Sequence, residues 1–111
     1  MGSKRVIRLS GIDCQPGAEE KFNTWYSEVH IPMLLKYKGI TRVTRYKKLD
    51  TDEEYPTYFT IYEFDSKEAF EGYTASPEFA VAMEDLRNTW PEGGYKRKWR
   101  VQYEEMRTWH R

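Results

Sequence analysis

The chain has a single cysteine, only two histidines, no excess charge of either sign and no long apolar run. Cys14 alone cannot close an intramolecular disulfide, and nothing near the start is apolar for long enough to be a signal peptide or a membrane span. A cytoplasmic protein with no membrane contact is therefore expected. Lys and Arg together number 18, as do Asp and Glu, so the formal net charge is +0. That balance removes the broad attraction on which non-specific nucleic-acid binding relies, and no nucleic-acid partner is expected. No H-x-H or HExxH pair occurs, so a zinc or iron site would rest almost wholly on carboxylates. No glycine-rich phosphate loop follows a strand and no G-x-S-x-G elbow is present, which argues against nucleotide-cofactor and serine-hydrolase chemistry.

What the chain does carry is aromatic surface: 16% of residues, including nine tyrosines and four tryptophans. Such side chains combine large contact area with polar handles and suit a lined pocket or a subunit interface as well as a core. At 111 residues, one domain spanning 1–111 with a single core is expected. Val6 to Ile12 alternates as a first strand, with a stop over Gly11 to Gly17. From Ala18, the residues Phe22, Trp25, Tyr26, Val29, Met33 and Tyr37 recur at steps of three and four, predicting an amphipathic helix interrupted at Pro32 and ended by Gly39. Ile40 to Leu49 and Tyr58 to Phe64 read as two antiparallel strands across a short polar connection. A short helix from Ser66 to Ser76 follows, then a second from Pro77 with Phe79, Ala80, Met83, Leu86 and Trp90 as its buried stripe. Pro91 to Gly94 ends it, and Lys96 to Tyr103 alternates as a fourth strand.

The order β-α-β-β-α-β predicts an α+β, ferredoxin-like arrangement with a four-stranded antiparallel sheet and helices on one face. The third strand is apolar on both sides, with Tyr58, Tyr62 and Phe64 on one and Phe59 and Ile61 on the other. Helices cover one side only, so a second copy of the sheet is the economical cover for the other, giving a homodimer.

His30 is the best clue to chemistry. It precedes Pro32 by two residues, and Pro32 has no N–H to give the carbonyl of Glu28, so the helix is expected to kink or end beside a titratable ring. Two readings are open: a functional acid or base facing a cavity, or a histidine that bonds a freed carbonyl and shapes the kink.

The run Phe22-Asn23-x-Trp25-Tyr26-x-x-x-His30-Ile31-Pro32-x-Leu34-Leu35, with Gly39, Arg45-Tyr46 and Tyr58-x-x-Ile61-Tyr62-Glu63-Phe64-x-Ser66-x-Glu68-Ala69-Phe70, resembles the dimeric α+β barrel superfamily in its EthD-like and monooxygenase-like branches. The resemblance spans Val6 to about Val101. It implies a homodimer, a pocket between helices and concave sheet, and an acid or base histidine, a role that only His30 inherits by motif. It implies no cofactor for the cyclase and isomerase branches. Relatives that bind haem through a histidine in the second half find no equivalent, since no histidine lies between His30 and His110.

The leading expectation is thus a cofactor-independent enzyme of cyclase, isomerase or lyase type, acting on a hydrophobic aromatic or polyketide-like carbonyl compound with His30 as acid or base. A cofactor-free monooxygenase in the same pocket and a non-catalytic small-ligand-binding protein are the alternatives. Tyr46 and Tyr62 are the candidate companions, as donors to a substrate oxygen, against the plainer reading of strand aromatics filling a sheet face. Trp25, Tyr26, Tyr58, Glu63 and Trp99 are the candidates to line the pocket and bind substrate. Glu63 shares a strand face with Phe59 and Ile61, and Arg45 or Arg8 is its expected partner. The basic run Lys96-Arg97-Lys98 with Arg100 reads either as attraction for an acidic substrate or as edge protection.

Overall fold

The structure, a computed structural model, describes residues 4–111. Its elements are β1 (Val6–Cys14), α1 (Glu19–Trp25), a π-helical turn (Tyr26–His30), α2 (Ile31–Leu34), β2 (Ile40–Lys47), β3 (Tyr58–Phe64), α3 (Lys67–Tyr73), α4 (Pro77–Thr89) and β4 (Tyr95–Glu104). The strands pair antiparallel in the order β2-β3-β1-β4. This is the expected ferredoxin-like α+β fold.

Strand periodicity decides which side the helices cover. Along β3, Tyr58, Thr60, Tyr62 and Phe64 are buried while Phe59, Ile61 and Glu63 stay partly open. The register carries that division across the sheet: Val6 faces Phe64, Arg8 faces Tyr62, Ser10 faces Thr60 and Ile12 faces Tyr58. Two clusters fill the space under the helices. One joins Phe64, Val6 and Tyr62 to Leu34, Tyr73 and Ala82, and the other joins Ile12 and Tyr58 to Phe22, Trp25, Tyr26 and Ile31. Ser66 and Ser76 cap α3 and α4 by accepting from the backbone N–H of Ala69 and Phe79, at 3.0 and 3.1 Å.

Four local departures from the sequence pattern matter for the site. First, β1 does not stop at Gly11 but runs on to Cys14. A Cβ at Gly11 would lie 2.6 Å from Pro56 Cγ and 3.1 Å from the Trp99 ring, so this glycine serves close approach across the sheet and not a turn. Second, β4 contains an irregularity: Gly11 pairs with Trp99, but Ile12 pairs with Arg97. Strict alternation puts Arg97 beside Trp99; the bulge leaves Lys98 over and turns Arg97 to the helix-covered side, where Arg100 already lies. Third, α4 buries Ala82, while Ala80 is exposed.

The fourth concerns the helix before Pro32. It neither ends there nor at Gly39; α1, the π turn and α2 run on without leaving helical backbone angles, and α2 closes at Leu34. Ile31 N–H donates to the Tyr26 carbonyl five residues back. The wider turn absorbs one extra residue and rotates everything after it. As a result Val29 is exposed, and His30, Ile31 and Leu34 take the buried face, with Met33 partly buried against the core.

Candidate active site

The π turn sets His30 inside the protein, with 4% of its surface exposed. Trp25 stacks on the imidazole at 4.9 Å between centroids and the Tyr26 ring lies at 5.0 Å. The Trp25 indole N–H donates to Asp85 Oδ2 at 3.1 Å, which ties this stack to α4. His30 Nδ1 is buried and has no hydrogen-bond partner among the described residues. Burial drives the imidazole pKa down to about 4, against a weaker upward pull from the Asp85 carboxylate. At neutral pH the ring is uncharged.

Beside it, the hydroxyls of Tyr26 and Tyr62 share a short, buried hydrogen bond. Burial raises both phenols, Tyr62 far above the usual tyrosine range, although Arg45 pulls each the other way. Both therefore hold their protons at neutral pH. One proton bridges the pair, and the other is left to donate elsewhere. The Arg45 guanidinium lies 4.6 Å from the Tyr26 ring centroid and is fixed by Asn23 Oδ1 at 2.8 Å and Ser27 Oγ at 3.0 Å.

A cavity of about 60 Å³ lies between the sheet and α4, and His30, Tyr26 and Tyr62 all line it. Leu34, Phe79, Met83 and Leu86 form its apolar wall; Arg8, Arg97 and Arg100 form the basic one. Arg97 and Arg100 are exposed, so the basic wall is also the open side. A water needs roughly 10–15 Å³ of such space, so the cavity holds a few waters or a small head group as it stands.

Of the residues singled out by sequence, His30, Tyr62 and Tyr26 meet in this cavity. Trp25 does not line it but backs the imidazole. Tyr58 is buried one register step away and donates through its hydroxyl to Glu19. Tyr46, Trp99 and Glu63 are on the other side of the sheet, where Tyr46 stacks on Phe59 at 5.0 Å and Phe59 approaches Trp99 at 6.4 Å. Glu63 pairs there with Arg42 at 2.6 Å and not with Arg45 or Arg8, because Arg42 shares its face while the other two share the face of Tyr62 and Thr60. The arginines of the cavity wall carried a weaker signal: the bulge that gathers them has no mark in the alternation of β4. Among the described residues no three His, Cys, Asp or Glu side chains converge to hold a metal ion, and no helix is long and apolar enough to cross a membrane.

Solved structures share this fold at low identity. SnoaB from Streptomyces nogalater, a cofactor-independent oxygenase, is 17% identical with a TM-score of 0.68, over 96% of this chain and 97% of that one. An ethyl tert-butyl ether d (EthD) family protein from Bacillus halodurans C-125 is 15% identical with a TM-score of 0.64, over 93% of this chain and 99% of that one. A dimeric ferredoxin-like protein of unknown function from Thermobifida fusca YX is 14% identical with a TM-score of 0.62, over 93% and 92%. At such identities the likeness is one of fold, that of the ferredoxin-like dimeric α+β barrel proteins the sequence resembles. No curated protein sequence matches the chain. The family described as "Domain of unknown function (DUF4286)" matches residues 11–92.

Proposed function

This chain belongs to the DUF4286 family, and from the cavity built within it we propose a cofactor-independent enzyme that moves a proton on a small carbonyl compound. The observation that carries this reading is the meeting of His30 with the Tyr26–Tyr62 pair in one cavity. An uncharged imidazole takes a proton from the carbon next to the carbonyl, and the C–H electron pair becomes the enolate. The free hydroxyl proton of the tyrosine pair donates to the enolate oxygen. Imidazolium and enolate then form together, each offsetting the other's loss of water. Return of the proton to another carbon gives isomerisation; attack of the enolate carbon on a second carbonyl gives cyclisation.

The low proton affinity of free His30 fits a base that charges only when an anion arises beside it. The small cavity favours a substrate with a single ring over a polycyclic one, since drug-sized ligands fill about 300 Å³ or more. Met83 lines the apolar wall and is the side chain best able to give way. A second reading, a cofactor-free monooxygenase in which molecular oxygen meets the same enolate, is supported by the likeness to SnoaB. The protein would work as a homodimer joined through the open face of the sheet.

Exchange of the acidic carbon-bound proton in D2O, followed by NMR on a set of aromatic 1,3-dicarbonyl compounds, tests proton transfer directly. The wild-type protein is expected to accelerate exchange, and His30→Asn to lose a factor of about 10² to 10⁴ while still binding the compound. Binding without any exchange above buffer would leave a small-ligand carrier in place of an enzyme. Oxygen consumption alongside exchange separates the second reading from the first.

A further inference from the structure

Three guanidinium groups line the cavity without a counter-charge. Arg8 comes from β1, and Arg97 and Arg100 from β4, gathered on one side by the bulge opposite Gly11 and Ile12. Arg100 pairs with Ser10, so Arg8 is its diagonal neighbour on the adjacent strand. Like charges so placed repel. The ion pairs among the described residues are Arg42–Glu63 and Lys98–Asp13, and neither involves these three arginines. Arg8 Nε is buried with no hydrogen-bond partner among those residues, and its guanidinium rests over the rings of Phe70 and Tyr73 at 5.2 and 5.8 Å. Burial and the nearby Arg100 both lower the Arg8 pKa. A basic wall with no acid of its own is half of an ion-pair site, and an entering anion supplies the other half.

We propose that the cavity selects a carboxylate-bearing substrate, with Arg8, Arg97 and Arg100 holding the carboxylate and the ring lying toward the apolar wall, His30 and the tyrosine pair. The guanidinium fork matches a planar carboxylate through two parallel N–H donors. This assignment rests on the cavity being the reaction site and names its substrate class: a small aromatic keto acid, not a neutral carbonyl compound. It also gives His30 a reason to gain proton affinity on binding, because an anion then occupies the same cavity.

Calorimetric titration of the full chain with benzoate, benzamide and phenyl phosphate separates charge, shape and anion type. Benzoate is expected to bind at least tenfold more tightly than benzamide. Arg100→Gln, a change at an exposed residue, is expected to weaken benzoate at least tenfold without altering benzamide, and Lys96→Gln, which removes the same charge outside the cavity, to change neither by more than twofold. Circular dichroism of each variant checks that the fold is kept. Equal binding of benzoate and benzamide would overturn the assignment, as would an effect of Lys96→Gln as large as that of Arg100→Gln. So would phenyl phosphate binding where benzoate does not. The two proposals fail separately: arginine-dependent benzoate binding with no proton exchange on any bound acid removes the enzyme and keeps the anion site. Proton exchange on neutral dicarbonyls together with benzoate binding no tighter than benzamide does the reverse.

Discussion

His30 is held by packing, and its chemistry follows from that. Burial among aromatic rings and the absence of a partner at Nδ1 outweigh the pull of the Asp85 carboxylate, so the folded protein binds its proton near pH 4 while the unfolded chain binds it near 6.5. Because the folded pKa is the lower one, unfolding takes up a proton between these values. The contribution is fully present above pH 6.5 and is lost as the pH falls through 4. Its size is about 3 kcal/mol, as an order of magnitude. Urea melts at pH 7.5, 5.5 and 4 are expected to show the wild type losing about 2–3 kcal/mol more than His30→Gln over this span. Parallel pH curves for the two proteins would mean that the ring is not buried in its neutral form.

At the scale of single elements, the decisive device is the π turn. Pro32 supplies no N–H to the Glu28 carbonyl, so the helix loses the bond that would hold it in α register there, and the wider turn brings His30 inward. Pro32→Ala restores that donor. The variant is expected to match or exceed the wild-type Tm while His30, drawn back toward the surface, titrates by NMR well above 4; an unchanged titration would show that the proline does not set the turn. Gly11→Ala tests a second device. Its new Cβ meets Pro56 at 2.6 Å, and about 1–3 kcal/mol of stability should be lost in denaturant melts. A neutral result would mean that Pro56 moves aside freely. The pattern of the chain revealed all four strands, the cap of α3 at Ser66 and the start of α4 at Pro77, because alternation, a capping serine and a proline are local signals. It did not reveal the π turn or the β4 bulge. Each adds one residue to an otherwise regular element, and the side that residue turns to is settled only by packing: Val29 out and His30 in, Lys98 over and Arg97 in. The same blindness placed Tyr46 with Tyr62, although the sheet itself stands between them, and gave Glu63, correctly set on the face of Phe59 and Ile61, a partner in Arg45 or Arg8 in place of Arg42.

For the whole molecule, the open side of the sheet is the proposed pairing surface. Leu9, Phe59, Ile61, Trp99 and Val101 share it across three adjacent strands, with Tyr46 on the fourth. Tyr46 and Trp99 keep 46% and 36% of their surface exposed. Isolated apolar side chains on a surface are ordinary, but a continuous aromatic and aliphatic face of this kind marks an interaction site. The face is also self-complementary in chemistry, since both copies would bring the same flat apolar sheet with Arg42 and Glu63 already paired toward its β2 side. A two-fold pairing buries it without leaving either charge unmatched. The helices and the cavity lie on the opposite side, so this pairing leaves the cavity's open side, with Arg97 and Arg100, uncovered. Light scattering at micromolar concentration is expected to give twice the chain mass of 13.4 kDa. Ile61→Asp places a charge in the middle of the face and should give the single-chain mass, with the circular dichroism spectrum kept and benzoate affinity within about threefold of wild type, since β3 presents Ile61 away from the cavity. A wild-type monomer would overturn the pairing; an Ile61→Asp protein that stays dimeric would move the interface elsewhere on the surface.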